Sequence, residues 1–172
     1  DTSNRKIYKH LKLVKKATKK MAIPFRVSFK HASAERTATE TIIMVACAEN
    51  GMQGYGEGCP RHYVTGENIE SCINFLETYK STILQIDSIH SLNAFVSKNR
   101  TRIDENPAAW CAIETALLDL MGKFDRKSIE AIIDIPEIQG SFQYTAVLGV
   151  SNSQIFAKQL AQYLQLGFRD FK

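Results

Sequence analysis

The chain has 172 residues, of which 44% are hydrophobic and 23% are charged, a composition typical of a globular chain with one good core. This composition argues against a disordered chain, and the 9 glycines argue against a collagen-like repeat. No apolar stretch approaches the roughly 20 residues that span a bilayer, and no apolar signal core follows the first residues. We therefore expect a cytoplasmic protein with no membrane partner.

The net charge of +4 is unevenly distributed, because ten of the 22 basic residues lie between Arg5 and Lys30. We interpret the lysines from Lys12 to Lys20 as the solvated side of an edge strand, where lysine discourages pairing between sheets. The alternative is an arm that binds nucleic acid or anionic lipid, but no aromatic residue lies among these lysines to form a stacking surface. We predict no nucleic-acid partner, and a steep salt dependence in a DNA titration would contradict that prediction.

Three strands are predicted in the first third of the chain. Residues 11–23 form the first, which we expect Pro24 to end. Residues 39–48 are β-branched and apolar, and the following Asn50-Gly51 pair is typical of a two-residue hairpin turn. Residues 52–58 then return antiparallel, which completes a small three-stranded antiparallel meander.

Four helices are expected after the meander. Thr65, Glu67 and Asn68 offer capping groups to the first helix, and Ser91 is expected to open the second. The third begins at Asn106-Pro107 and carries many small residues, which predicts close packing against its neighbours. The fourth is short, at residues 128–133. The side chains expected to face inward from the first two helices are Ile69, Cys72, Ile73, Phe75, Leu76, Leu92, Phe95 and Val96.

The four cysteines, Cys47, Cys59, Cys72 and Cys111, include no Cys-x-x-Cys pair, so we predict neither a zinc site nor a redox motif. We expect buried free thiols, apart from Cys59, which lies in a turn-rich segment.

The last 30 residues change pattern to strand, helix and strand, which is a βαβ unit of a parallel sheet. The strands are expected at 142–148 and 168–172, and the helix at 151–166 with Gly167 at its C-terminal cap. We place a domain boundary near Gly140, with a domain over 1–140, which includes the basic N-terminal extension, and a second over 141–172. The side chains expected to face inward from the helix are Ile155, Phe156, Leu160, Tyr163 and Leu164.

This order of elements, together with a set of short motifs, resembles the enolase superfamily, within its muconate-lactonising and dipeptide-epimerase branch. Each motif alone is weak, but their order along the chain from about Leu11 to the last residue is specific. The motifs are Ile23-Pro24-Phe25, Thr39-Glu40-Thr41, Gly54-Tyr55-Gly56-Glu57-Gly58, Val64-Thr65-Gly66-Glu67, Asn106-Pro107-Ala108-Ala109, Glu114-Thr115-Ala116-Leu117-Leu118-Asp119-Leu120 and Gly167-Phe168-Arg169-Asp170-Phe171-Lys172.

The resemblance implies an α+β capping domain followed by the first βαβ unit of a truncated (β/α) barrel. In that superfamily the barrel holds one Mg²⁺ on carboxylates from its third, fourth and fifth strands. A Lys-x-Lys pair ends the second strand in this branch, and another lysine faces it. The shared reaction removes a proton next to a carboxylate, and the developing oxyanion must be neutralised because a free lysine is too weak a base for that proton.

Lys172 matches the first lysine of the Lys-x-Lys pair, which makes it the one catalytic residue that the resemblance implies here. That lysine is the cation that favours the neutral form of the second, which is the base. The second lysine and the metal carboxylates have no counterpart in this sequence, and residues 142–172 are far fewer than the roughly 250 of a whole barrel. We therefore expect no metal ligands here, with Mg²⁺ bound only in a longer parent enzyme, and no activity from these 172 residues alone.

Two loops of the capping domain cover the substrate in relatives, and they correspond to residues 29–36 and 59–66. The resemblance thus implies that His31 and Arg36 of the first loop, three residues of the second, and Thr145 bind substrate; the three are Arg61, His62 and Tyr63. We expect the two histidines to line the site or lie at the surface rather than to catalyse. Thr145 fits a strand-filling role equally well.

The first loop also bears on substrate preference. Glutamate-dipeptide epimerases hold their substrate with an arginine in this loop, and its match here is Ala34, with Arg36 two residues later. That departure argues against an Ala-Glu substrate. Glu35 either attracts a cationic side chain of a dipeptide or is simply solvated.

We therefore predict the N-terminal part of a Mg²⁺-dependent dipeptide epimerase whose substrate is a small-molecule carboxylate, expected to be a dipeptide. The alternatives are a muconate cycloisomerase, an o-succinylbenzoate synthase-like enzyme, and a non-catalytic binding module that keeps only the cap. Relatives commonly assemble through the barrel, so a homo-oligomer is also among the expected partners.

Overall fold

A computed structural model describes residues 11–31, 34–149 and 151–172 of the chain, so the predicted N-terminal extension at residues 1–10 lies outside the description. The described elements follow in chain order. They are β1 (Leu13–His31), β2 (Ala34–Ala48), β3 (Gln53–Gly58), α1 (His62–Thr65), α2 (Ile69–Thr78), α3 (Lys80–Ile83), α4 (Ile89–Asp104), α5 (Pro107–Asp125), α6 (Ile129–Ile133), β4 (Thr145–Ala146), α7 (Ser153–Gln165) and β5 (Asp170–Phe171).

The predicted three-stranded meander is confirmed, with the strand order β1-β2-β3 and antiparallel pairing of β2 with β3. The prediction that Pro24 ends the first strand is wrong, because β1 continues to His31. β1 lies at the edge of the sheet, where a proline can turn its nitrogen away from the partner strand and so removes no ladder hydrogen bond.

The hairpin between β2 and β3 has a three-residue loop, so the predicted two-residue turn is wrong. Cys47 pairs with Gln53, and the amide of Ala48 donates to the carbonyl oxygen of Met52 at 2.9 Å. Gly51 alone among the loop residues has a positive φ, at 82°, which is the conformation of a type I turn followed by a bulge. The Asn-Gly pair thus marked the turn correctly but not its length.

The small residues of α5 pack against the glycines of β3, which confirms the close packing expected of that helix. A Cβ atom at Gly54 would lie 2.6 Å from Leu120 Cβ, and one at Gly56 would lie 2.6 Å from Ala116 N. A side chain at either position would therefore collide with the helix. Because the positions of β3 that face α5 are glycines, the backbone of the strand lies directly against the helix.

Side-chain caps fix the starts of α2 and α4. Asn68 caps α2 and Ser88 caps α4, each in a reciprocal capping box with the residue three positions later. Ser91 is that later residue in α4 rather than the cap, so the predicted start was three residues late. The predicted inward face of α2 holds except for Ile73, which is exposed.

The fully buried core is formed by β2, α2, α3, α4 and α5. Its largest side chains are Ile42, Met44, Leu76, Ile83, Leu92, Ile113, Leu117 and Leu120. The four cysteines are free, as expected, but only Cys72 is buried; Cys47 is half-buried and Cys59 and Cys111 are exposed. No helix within the described residues is long and apolar enough to cross a membrane.

The chain forms two compact units, which we describe separately. The first combines residues 11–21 with Glu40–Glu137, and the second combines Ala22–Thr39 with Ile138–Lys172. The predicted boundary near Gly140 stays a prediction.

The second unit contains the predicted βαβ arrangement, in which β4 and β5 pair in parallel. Both strands are shorter than expected, with two residues each, because each pairs only with the other among the described strands. α7 ends as predicted, since Gly167 has a φ of 87° and the amide of Phe168 donates to the Tyr163 carbonyl. The expected burial of its apolar face is wrong: Ile155, Phe156 and Leu164 are exposed, while Leu160 and Tyr163 are half-buried.

Candidate functional site

Three of the predicted substrate-binding residues lie together in the segment from Cys59 to Gly66, called here the 59–66 loop. Arg61 donates from Nη1 to the carbonyl oxygens of Glu40, at 3.1 Å, and Pro60, at 2.7 Å. The Nδ1 atom of His62 lies 3.2 Å from the carbonyl oxygen of Gly66. Tyr63 is 46% exposed. The loop thus presents polar side chains to solvent, and Arg61 also ties it to β2.

A buried hydroxyl lies beneath the start of this loop. The Oγ1 atom of Thr41 is 2.8 Å from both Glu57 Oε1 and the carbonyl oxygen of Gly58, and 3.4 Å from Cys59 Sγ. Thr41 is 1% exposed, so these contacts satisfy a hydroxyl that water does not reach. The contact of Glu57 with Thr41 joins the end of β3 to β2.

Glu67, immediately after the loop, is a buried carboxylate that sequence reasoning assigned to the wrong helix. It is 2% exposed, and its two oxygens accept the amides of Ala108, at 2.9 Å, and Ala109, at 3.0 Å. These amides belong to the first turn of α5, whose own N-cap residue, Asn106, makes no side-chain capping bond. Glu67 is therefore the N-terminal cap of α5, where a negative charge also interacts favourably with the helix dipole.

Cys72 lies next to this carboxylate and donates from Sγ to Glu67 Oε1 at 3.5 Å. Burial, followed by the charge of Glu67 and this hydrogen bond, raises the pKa of the Cys72 thiol from 9.0 to about 12. The thiol is therefore a hydrogen-bond donor at neutral pH and no nucleophile.

The remaining predicted residues of the barrel strands share one face. Thr145 pairs with Asp170, and the amide of Lys172 donates to the carbonyl oxygen of Ala146 at 3.0 Å, which continues the parallel ladder to Lys172. Because side chains alternate along a strand, Thr145, Asp170 and Lys172 lie on the same side, and all three are exposed. The structure thus brings Thr145 and Lys172 to neighbouring strands at one face.

The prediction that residues 29–36 form a loop is wrong for most of that range, because β1 extends to His31 and β2 begins at Ala34. His31 ends β1, but its side chain, like that of Ala34, lies outside the description, as do residues 32 and 33. Arg36 is half-buried, and its guanidinium carbon lies 5.9 Å from the centre of the Phe25 ring, a cation–π contact.

A cavity of about 300 Å³ in the first unit contains none of the predicted residues. Its lining includes Leu11, Met121 and Phe124, and of its polar residues Asp87 accepts hydrogen bonds from the hydroxyls of Ser88 and Ser91 at the start of α4. That carboxylate therefore belongs to the helix cap rather than to a reaction site.

Within the described residues, no three His, Cys, Asp or Glu side chains converge to form a metal site. The described residues therefore do not fit a bound Mg²⁺.

Residues 10–133 match the family model of the mandelate racemase / muconate lactonizing enzyme N-terminal domain. The hydrophobic dipeptide epimerase of Enterococcus faecalis is 25% identical over 159 residues, which cover 87% of this chain and 42% of that protein. The N-succinyl-L-Arg/Lys racemase of Bacillus cereus is 27% identical over 150 residues, covering 87% and 40%. The chain thus spans about two fifths of the length of these curated relatives.

A solved structure shares the fold of this chain. The dipeptide epimerase from Methylococcus capsulatus, complexed with Mg and the dipeptide L-Arg-D-Lys, superposes with a TM-score of 0.80 at 22% identity. The match covers 93% of this chain and 45% of that one. The likeness confirms the predicted α+β capping domain followed by the start of a (β/α) barrel.

Proposed function

The chain belongs to the mandelate racemase / muconate lactonizing enzyme family of the enolase superfamily, and on that premise we propose that it is the N-terminal part of a dipeptide epimerase. The observation that carries this proposal is the match over residues 10–133, together with relatives named as dipeptide epimerases. The proposed reaction inverts the configuration of a carbon next to a carbonyl or carboxylate group. It removes the proton from that carbon and returns a proton to the opposite face.

Lys172 is the catalytic residue that we propose for this part of the enzyme. Its ammonium group lies on the exposed face that also carries Thr145, at the end of the second parallel strand. A cation held close to a lysine base favours the neutral form of that base, since two positive charges repel each other. The base would be the residue two positions later, by the Lys-x-Lys pattern of the branch.

We propose that Mg²⁺ serves the longer enzyme and that its ligands lie outside the described residues, which do not form a metal site. The solved dipeptide epimerases complexed with Mg support this assignment. When bound, the cation would stabilise the negative charge that develops on the substrate carboxylate. The 172 residues by themselves would then be inactive.

The substrate is proposed to be a dipeptide, bound in part by polar side chains of the two predicted loops. Arg61, His62 and Tyr63 would contribute from the 59–66 loop, and His31 and Arg36 from the first loop. Thr145 would contact the substrate from the first barrel strand. The relatives include enzymes named for Lys and Arg substrates and others named for hydrophobic dipeptides, so the side-chain preference is left to the assay.

The test is deuterium exchange at the α-carbon, followed by NMR in D₂O with a panel of L,L-dipeptides and added Mg²⁺. We expect the full-length protein that contains this chain to exchange at least one dipeptide, and the 172-residue chain to exchange none. Exchange of N-succinyl amino acids alone would favour a racemase, and lactone formation from muconate would favour a cycloisomerase. Failure with every substrate would leave the non-catalytic cap module as the better proposal.

A further inference from the structure

The ends of the 59–66 loop converge on a single turn of helix, the start of α5. At one end, a Cβ atom added to Gly58 would collide with the carbonyl oxygen of Ala108 and lie 3.2 Å from Ala112 Cβ. At the other end, Glu67 accepts the amide of that same Ala108. The segment between these ends, which includes the single helical turn α1 (His62–Thr65), is therefore anchored on α5 from both sides.

The two ends are held by different kinds of interaction. Gly58 is fixed by backbone packing on α5 and by the Thr41 hydroxyl, which lies 2.8 Å from its carbonyl oxygen. The other end begins with Gly66, whose φ of 77° turns the chain, and continues directly into the buried carboxylate of Glu67. At this end Glu67 bridges the chain to α5 with two charge-assisted hydrogen bonds, just before α2 begins.

We propose that Glu67 is a positioning residue that sets the conformation of the 59–66 loop and thereby the placement of Arg61, His62 and Tyr63 on the dipeptide. This inference rests on the proposed function for the identity of the substrate, but the anchoring of the loop does not depend on it. Glu67 acts through the loop and the first turn of α5, since it is buried beneath both.

The variants are Glu67→Gln and Glu67→Ala, each in the 172-residue chain and in the full-length protein. Gln preserves the shape and one acceptor, so it should keep one of the two amide bonds, whereas Ala leaves both amides without their carboxylate. The matched control is Ser88→Ala, which removes the side-chain cap of α4 without touching the loop. If Glu67→Ala does not fold, Glu67→Gln still carries the test.

The first readout is hydrogen–deuterium exchange of the amides from residues 59–66 in the 172-residue chain. We expect exchange to be at least about threefold faster in Glu67→Gln, and faster still in Glu67→Ala, while the amides of α4 keep the wild-type rate. In Ser88→Ala the pattern should be reversed, with faster exchange in α4 and an unchanged loop. Loop exchange at the wild-type rate in both Glu67 variants, or equal acceleration across α4 and the loop, would overturn the proposal.

The second readout is the kinetics of the full-length protein with its dipeptide. We expect Glu67→Gln to raise KM at least about fivefold with kcat within about twofold, because a displaced loop weakens substrate binding more than it alters the reacting groups. A merely structural role would lower the amount of active enzyme and leave KM unchanged, as expected for Ser88→Ala, and that result would refute the positioning role. If the wild type acts on no dipeptide, the proposed function fails, and the exchange experiment alone decides whether Glu67 anchors the loop.

Discussion

Replacing Gly56 with alanine tests the packing of β3 on α5, which holds the first unit together. The added Cβ atom would lie 2.6 Å from Ala116 N and would overlap the carbonyl oxygen of Ala112. Ordinary contacts begin at 3.4 Å, so relieving the Ala116 contact alone would separate the helix and strand by about 0.8 Å, and the overlap with Ala112 requires more. Both colliding atoms belong to the helix backbone, and no rotation of a side chain relieves the overlap.

The cost should lie at or above the upper end of the usual 1–3 kcal/mol for overpacking, so we expect a loss of about 3 kcal/mol. In a chain of this size, that corresponds to a fall in Tm of roughly 6–12 °C. The assay is thermal unfolding of the 172-residue chain by circular dichroism, repeated with urea to obtain the free energy of unfolding.

Gly51→Ala is the matched control, because a Cβ atom at Gly51 would meet nothing within 4 Å. Its cost is limited to the strain of a left-handed backbone, about 1 kcal/mol. If Gly56→Ala unfolds at the same temperature as Gly51→Ala or above it, the close packing of β3 on α5 does not stabilise this unit as argued.

Two further predictions concern buried and edge groups of the first unit. Because the pKa of Cys72 is raised to about 12, its thiol loses a proton more readily when unfolded, so its contribution to stability falls as the pH rises above 9. Urea titrations at pH 8 and 10 should show that wild type loses about 1 kcal/mol more than Cys72→Ala; equal losses would contradict the shift. Asp119 accepts the amide of Tyr55 at 2.8 Å on the free edge of β3 and pairs with Lys123 at 2.6 Å. Asp119→Ala should therefore lower the free energy of unfolding by about 1–2 kcal/mol in urea. Asp104→Ala, which breaks an exposed ion pair, should cost under about 0.5 kcal/mol. Similar losses in the two variants would mean that Asp119 does not stabilise the edge of β3.

Local signals were enough to predict the elements whose causes lie within a few residues. Pro107 marked the start of α5, because its fixed φ suits the first helical turn, and Gly167 marked the end of α7, because a positive φ there turns the chain. Pro24 misled for the opposite reason. Whether a proline ends a strand depends on its position in the sheet, and a single sequence does not reveal that β1 is an edge strand.

The candidate site was predictable only in part. Lys172 and Thr145 were found through the resemblance of their motifs, and the parallel pairing of β4 with β5 places them on one face. Glu67 was assigned to the helix that follows it, whereas it caps a helix 41 residues away in sequence. Such a contact depends on tertiary packing, so only the combination of an acid after Gly66 with a helix that lacks its own cap could have suggested it.

The proposed role of Lys172 is tested most directly by the pH dependence of α-proton exchange in Lys172→Met, made in the full-length protein. Removing this cation should raise the pKa of the proposed lysine base, so that fewer molecules hold the neutral form at pH 7. We predict an exchange rate at pH 7 lower by about tenfold or more, with the rising limb of the profile moved to higher pH, and an unchanged profile in Lys158→Met, an exposed lysine of α7. A Lys172→Met protein with the wild-type rate and the wild-type profile would contradict the proposed role of Lys172.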